Sequence, residues 1–332
     1  MTRIFSGITP SGHLTLGNYL GAIRQWVAAE QAPGDALFCV VDLHALTVEH
    51  DPARLRRLSR QAASLYLAAG LDPQRCTLFV QSHVGEHTRL AYLLECTATD
   101  GEMRRMIQYR EKAAKAEASG QGVRLSLLTY PALMAADILA YRTDEVPVGE
   151  DQRQHVELTR DLAERFNQRY GHTFTVPRAA VPAVAARVMN LQDPTRKMGK
   201  SEEGGTGIVY LLDEPAVVTK KVMRAVTDSG DGGVVYDRAA RPGVANLLDI
   251  LAACTGGDPE KLAAGYSQYG PLKRDVAEAV VELLRPLRER HAVLAADPGE
   301  VERVLREGAG RARAMARPVV DRAYEAMGLL AP

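Results

Sequence analysis

Apolar and polar positions along the chain fall into two regimes. In the first, short apolar runs alternate with helix-length amphipathic stretches. Residues 3–7 form a first short strand, followed by a turn of Thr9, Pro10, Ser11 and Gly12. A helix opens near Gly17-Asn18 and carries Tyr19, Leu20, Ile23 and Trp26 at helical spacing. Residues 37–42 are an apolar run of strand length, suited to a sheet buried on both faces. Asp51-Pro52 starts a helix with Leu55, Leu58, Ala62, Leu65 and Ala69 on one face, ending at Gly70. Residues 77–80 give the next buried strand. The order β, α, β, α, β with helical connections predicts a parallel sheet covered by helices on both faces.

The second regime is mostly helical. Residues 88–97 read as a helix. Arg104, Arg105, Arg110, Lys112 and Lys115 make a basic segment. Gly120-Gln121-Gly122 breaks the chain, and 125–140 is mostly apolar with Pro131 inside it. Residues 145–148 form a short strand closed by Gly149. Residues 151–169 form an amphipathic helix with Val156, Leu162 and Phe166 inward, and Gly171 just past its end. Residues 197–207 are charged and glycine-rich, which suits a mobile loop. Beyond them helices are expected at 214–226, 244–253, 259–266, 272–296 and 300–327, a second, helical unit.

Composition narrows the partners. The 332 residues are 46% hydrophobic, enough for a full core and two domains. Basic and acidic residues balance at 41 each, so a polyanion must meet a local patch rather than a global field. The cysteines Cys39, Cys76, Cys96 and Cys254 form no C-x-x-C pair. No zinc site or iron–sulfur cluster is expected, and free thiols fit a reducing cytosol. No basic leader or membrane-length apolar run is present, so the expectation is a soluble cytoplasmic protein. Residues 228–233 superficially suggest a calcium loop but lack its carboxylate spacing, and read as a solvated turn.

Candidate chemistry sits in three places. Strand, glycine turn and helix start over residues 5–18 present backbone N–H groups to phosphates. Any first strand–turn–helix of an α/β protein fits that stretch as well. Lys197-Met198-Gly199-Lys200-Ser201 holds two lysines three apart around a glycine. Two compact charges on long stems can close on a polyphosphate, although most lysine-rich loops are solvated surface. Asp137 lies in the apolar run Leu133, Met134, Ala135, Ala136, Ile138, Leu139. A carboxylate there is costly unless it finds a partner, which an internal backbone group, an arginine or a ligand supplies. No Gly-x-Ser-x-Gly and no Cys beside a plausible His suggests a nucleophile.

The opening stretch and the lysine pentapeptide together resemble the two-part signature of class I aminoacyl-tRNA synthetases. Ser6-Gly7-Ile8-x-Pro10-Ser11-Gly12 with Thr15-x-Gly17-Asn18 is similar to the first signature in its bacterial tryptophanyl form, and 197–201 to the second. The resemblance continues through Val41-Asp42-Leu43-His44-Ala45, Leu128-Thr129-Tyr130-Pro131, Met134 to Leu139, and Val146-Pro147-Val148-Gly149-Glu150-Asp151-Gln152-x-Gln154-His155. It covers essentially the whole chain. Thr9 stands where bacterial members often have Gln, and Gly199 where the second signature has its first serine.

The resemblance implies a Rossmann-like doubly wound parallel-sheet catalytic domain at 1–195. It implies a loop and helical anticodon-binding domain at 196–311, with 312–332 packing back on the catalytic domain. It implies activation of L-tryptophan with ATP to the adenylate plus pyrophosphate, then transfer to the 3′ end of tRNA(Trp). Thr9, Pro10, Ser11, Gly17 and Asn18 would meet the nucleotide, with Gly149, Glu150 and Asp151 at the ribose and ammonium. Val188 and Met189 would pack near the adenine, with hydrophobic core the equally good reading. Lys197, Met198, Gly199, Lys200 and Ser201 would close on the phosphates, and Lys197, Lys200, Ser201 and Asn18 are the expected catalytic set. Asp137 would accept the indole N–H. Phe5, Gly7, Val41, His44, Tyr130, Met134, Val146, Val148 and Gln152 would line the rest of the tryptophan pocket. Taken singly, each apolar one of these fits ordinary core better. ATP with Mg2+ is the expected cofactor. A symmetric homodimer, no DNA and no membrane are the expected partner set. The rivals are a tyrosyl-tRNA synthetase, a small-molecule nucleotidylyltransferase and a non-catalytic paralogue.

Overall fold

A computed structural model of the chain describes residues 2–330 other than 33, 121, 150–151, 181–186, 200–204 and 229–232. Five parallel strands form the sheet, in the order β3-β2-β1-β4-β5. β1 (Thr2–Ile8) is central. On one side it pairs with β2 (Gly34–Val40) from Thr2↔Gly34 to Ile8↔Val40, and β2 pairs with β3 (Thr77–Val80). On the other side β1 meets β4 (Glu145–Pro147), which pairs with β5 (Arg178–Ala180). The chain runs outward from β1 through β2 to β3, then returns to the opposite side of β1. That reversal opens a crevice at the carboxyl ends of β1 and β4, where sheets of this topology take ligands.

Alternation along β2 explains the two cores. Ala36, Phe38 and Val40 face one side of the sheet, and Leu37, Cys39 and Val41 the other. All are buried, which is why this strand reads as a continuous apolar run. β5 is absent from the sequence expectation. Its Arg-Ala-Ala has no strand pattern and is held from outside, by Arg178 N–H to the Asp144 carbonyl (2.9 Å) and Val148 N–H to the Ala180 carbonyl (3.2 Å).

The first core face is covered by α1 (Leu16–Asn18), a wide π turn at Tyr19–Ile23, and α2 (Arg24–Ala29). The sequence reads this as one helix. Trp26 stacks on Phe38 (5.0 Å) and meets Tyr66 edge-on (5.3 Å), Tyr66 lying on α3 (Pro52–Ala68). The second face carries α4 (Glu86–Glu95), α5 (Asp100–Arg105), α6 (Ile107–Ala118), α7 (Leu125–Leu139) and α8 (Arg153–Tyr170). Pro131 sits inside α7. The basic segment falls on α5 and α6.

Beyond residue 214 the described chain is helical: α9 (Pro215–Met223), α10 (Pro242–Thr255), α11 (Pro259–Ala263), α12 (Tyr269–Ala296) and α13 (Pro298–Ala326). Val218, Leu247 and Leu284 of this unit join the same core as Phe38 and Val40 of the sheet. α13 runs back along β3. A β-carbon on its Gly308 would stand 1.7 Å from the Leu78 carbonyl oxygen, so only glycine permits this approach. Ala309, Ala312, Ala316, Val319, Val320 and Ala323 enter the second core. Of the 228–233 turn, 229–232 lie outside the described residues; Asp228 accepts from Tyr269 and faces Arg241 at 3.5 Å. Among the described residues no helix is long and apolar enough to cross a membrane.

Candidate active site

The first signature segment is built by capping. Thr15 is the N-cap of α1: its hydroxyl accepts from the Asn18 N–H (3.3 Å), and the Asn18 amide oxygen accepts from the Thr15 N–H (3.0 Å). This turns the segment sharply at the end of β1. The segment is braced from behind, because Leu16 N–H bonds the Val209 carbonyl (2.8 Å) and Leu211 N–H bonds the Leu14 carbonyl (3.0 Å).

The second signature segment comes to the same place. Residues 188–198 fold back on themselves, with Met198 N–H on the Val188 carbonyl (3.0 Å) and Asn190 N–H on the Arg196 carbonyl (2.8 Å). Asn246 of α10 clasps the backbone of Met189 from both sides, at 2.8 and 3.0 Å. A β-carbon on Gly17 would stand 3.4 Å from the Met198 carbonyl oxygen. The two segments, 180 residues apart in sequence, therefore meet at Gly17. Val188 and Met198 turn their side chains into the core, each 2% exposed, so Val188 fits the core reading, and Met198 faces Gly17 with its carbonyl oxygen and β-carbon. Met189 and Gly199 are half-buried and Lys197 is exposed. Lys200, Ser201, Glu150 and Asp151 lie outside the described residues. Thr9 and Pro10 follow β1 directly, with Ser11 exposed beside them, and Gly149 follows β4 after Val148. The crevice of the topology thus has both expected nucleotide segments at its mouth.

Asp137 of α7 lies at the centre of a buried polar cluster. It is 1% exposed. Its Oδ1 accepts from Gln81 Nε2 (2.7 Å) and His87 Nδ1 (2.6 Å). Its Oδ2 accepts from His44 Nε2 (2.8 Å) and again from Gln81 Nε2 (2.8 Å). Three donor atoms thus hold the carboxylate, with Gln81 Nε2 shared between its two oxygens. Gln81 is oriented by Leu43 N–H on its Oε1 (3.0 Å). With His87 Nδ1 donating to Asp137, its Nε2 accepts from the Tyr141 hydroxyl (2.7 Å). Burial pushes the Asp137 carboxyl up, but the hydrogen bonds from His44 and His87 outweigh it and hold the group down at about 2. The partner of Asp137 is thus neither the backbone group nor the arginine considered from sequence.

The donors differ in access. Gln81 and His87 are fully buried, whereas the His44 side chain keeps 12% of its surface. His44 also meets the Tyr130 ring edge-on at 6.2 Å. Lys112 sits over that ring at 5.0 Å, and the Tyr130 hydroxyl lies 2.7 Å from His155 Nε2. Burial raises the Tyr130 phenol well above its ordinary range, so it is a neutral donor. Around this cluster Phe5, Val41 and Val146 are buried in one core with half-buried Met134 and Val148 packed on it. Phe5 stacks on Tyr141 (5.7 Å, 10° between planes). Gly7 is exposed, and a β-carbon there would stand 2.7 Å from Val41 Cγ1. Gln152 is half-buried at the entry to α8.

Sequence reasoning missed Gln81, His87, Tyr141 and His155. Gln81 had a usable signal, since it directly follows β3 at the carboxyl edge of the sheet. His87 and Tyr141 had none: their partner Asp137 is 50 or more residues away for His87, and Tyr141 joins only through His87.

Comparison with known proteins agrees with this geometry. The family model for class I tRNA synthetases (W and Y) matches residues 1–285. Tryptophan--tRNA ligase 1 of Streptomyces coelicolor is 75% identical over 332 residues, covering 100% of this chain and 98% of that protein. The structure of tryptophanyl-tRNA synthetase from Mycoplasma pneumoniae superposes with a TM-score of 0.91 at 36% identity, covering 99% of this chain and 98% of that one. The Campylobacter jejuni tryptophanyl-tRNA synthetase complexed with ADP and tryptophan gives a TM-score of 0.83 at 32% identity, covering 99% and 100%. Fold, meeting signature segments and full-length similarity lead to one conclusion: the chain belongs to the tryptophanyl-tRNA synthetase family of class I.

Proposed function

We propose that the chain activates L-tryptophan with ATP and transfers it to the 3′ end of tRNA(Trp). The observation that carries this reading is the junction of Gly17 and Met198, which brings the two signature segments together. In the activation step the tryptophan carboxylate attacks the α-phosphate and pyrophosphate leaves. Such a transfer needs positioning and charge neutralisation rather than a protein nucleophile. The close backbone at Gly17 admits the nucleotide phosphates, and Asn18 holds the turn that aims it. Thr9, Pro10, Ser11, Gly149, Glu150 and Asp151 frame the nucleotide, and Met189 borders the base. Lys197, with Lys200 and Ser201, takes the departing pyrophosphate charge. ATP enters as its Mg2+ complex; the ion is carried by the substrate's phosphate oxygens and needs no protein cage.

Asp137 reads the indole N–H. His44 is the partner open to solvent, so the indole N–H takes its place on Oδ2. Gln81 and His87 keep the carboxylate ionised and aimed while this exchange takes place. Phenylalanine in the same place would displace His44 and return no donor, a strong basis for rejection. Tyr130 and Gln152 receive the ammonium end.

The helical unit, 196–311, reads the anticodon. Residues 312–332 belong with the catalytic domain, which the packing of α13 on β3 supports. The chain acts as a symmetric homodimer in the cytoplasm. Exposed Tyr92, Ile107 and Leu125, all between β3 and β4, support an apolar partner surface, and four unpaired cysteines suit a reducing compartment. ATP–pyrophosphate exchange with each of the twenty amino acids tests the activity. Exchange with tryptophan is expected; exchange with tyrosine and not tryptophan would overturn the specificity, and none at all would overturn the enzyme.

A further inference from the structure

A cavity of about 750 Å3 lies at the carboxyl edge of β2 and β3 and shares no lining residue with the site above. Its volume is in the usual range for small-ligand sites, about 300–1,000 Å3. Two helices build its walls with one stripe each. α3 supplies Pro52, Leu55, Arg56, Ser59 and Arg60, the i, i+3, i+4, i+7, i+8 spacing of a single face. α13 supplies Glu302, Leu305, Arg306, Ala309 and Arg313, again one face. Asp42, Val80, Ser82 and His83 at the strand ends close the floor, and His50 stands at the rim.

The charge is one-sided. Four guanidiniums line the space against two carboxylates, and both carboxylates are already engaged. Glu302 pairs with Arg60 at 3.1 Å. Asp42 accepts from the Ser82 N–H (3.0 Å) and hydroxyl (2.5 Å). Arg313 donates to the His83 carbonyl (2.7 Å), which fixes its fork. Arg56 and Arg306 are exposed, one on each wall, with no acid assigned to either among the described residues. The amino end of α3 opens on the same space through Pro52, adding the positive end of a 17-residue helix. Leu55, Val80, Leu305 and Ala309 are the apolar part of the lining, with polar Ser59 and His50 beside them.

We infer that this cavity binds a nucleotide unit, its phosphate on Arg56 and Arg306 and its base against Leu55, Val80, Leu305 and Ala309. A guanidinium pair recognises phosphate oxygens in a fork, and a planar base packs on aliphatic and guanidinium surfaces alike. A simple inorganic anion leaves those apolar residues uncovered, and an apolar molecule leaves the arginines unused. The unit comes either as a free nucleoside monophosphate or as one nucleotide of the RNA substrate. Only the second source rests on the ligase reading, so the failure of that reading and the failure of this one are distinguishable.

The test uses the full chain and the double substitution Arg56→Ala/Arg306→Ala, both at exposed positions. Each of the four ribonucleoside 5′-monophosphates is titrated calorimetrically into both proteins. Aminoacylation KM for tRNA and ATP–pyrophosphate exchange are measured alongside. A free-nucleotide site predicts that at least one monophosphate binds the double variant about tenfold or more weakly. An RNA site predicts a tRNA KM raised about fivefold or more, with exchange within about twofold of the unsubstituted protein. Monophosphate affinities and tRNA KM both unchanged in the double variant would overturn the inference.

Discussion

The Met198 carbonyl oxygen lies 3.4 Å from where a β-carbon on Gly17 would stand, and the Met198 side chain is locked in the core behind it. The fold tolerates that contact, since 3.4 Å is ordinary van der Waals distance. What a methyl group occupies is the approach of the nucleotide. Gly17→Ala is therefore expected to change stability by less than about 1 kcal/mol while raising the KM for ATP about tenfold or more. Urea unfolding and exchange kinetics on the same sample separate the two effects.

Lys197 stands on the segment that meets Gly17, exposed and next to the buried Met198. On the proposed reading, removing its charge weakens the state in which pyrophosphate departs. Lys197→Ala is expected to lower the exchange kcat by about 100-fold or more, with the KM for tryptophan nearly unchanged. A comparable rise in tryptophan KM would place the lysine at the amino acid instead.

Asp137 makes stability depend on acid. Its carboxyl sits at about 2 in the fold, against an ordinary 3.8. A group depressed in this way stabilises the fold above its unfolded value, and that contribution is lost as pH falls from about 4 towards 2. Asp137→Asn removes the charge that three side chains surround and is expected to cost about 3–5 kcal/mol at neutral pH. It should also flatten the acid limb of stability between those two pH values. Urea midpoints across the range for both proteins check this.

Gly308 tests the return of α13. A β-carbon there would collide with the Leu78 carbonyl at 1.7 Å, with backbone on both sides of the contact. Gly308→Ala is expected to lower stability by about 2 kcal/mol or more. KM for ATP should hold at temperatures where the variant stays folded, because β1, β4 and the Gly17 junction lie elsewhere. Thermal unfolding and exchange kinetics supply the two readings.

The parts of this fold legible in sequence are those written locally. β2 and β3 are buried on both faces, so they appear as apolar runs, and α3 announces itself with Asp51, Pro52 and a periodic face. β5 was not legible because its strand state is imposed by Asp144 and Val148, not by its own residues. The π turn at Tyr19–Ile23 is likewise hidden, since its apolar spacing resembles that of a helix. Within the site, Gly17, Lys197 and Asp137 stand out as residues, but what surrounds them does not. The Gln81, His87 and Tyr141 shell exists only once β3, α4 and α7 are brought together. The core burial of Val188 and Met198 follows from docking against α10, which no short window contains.

The central claim is that Asp137 accepts the indole N–H of tryptophan, and unaltered protein can test it. β-(3-Benzothienyl)alanine keeps the shape of tryptophan but replaces the N–H with sulfur. ATP–pyrophosphate exchange is measured with each as the variable substrate. An analogue that displaces His44 from Asp137 without returning a donor should lower kcat/KM by about 100-fold or more relative to tryptophan. Equal kcat/KM for the two would contradict the role given to Asp137.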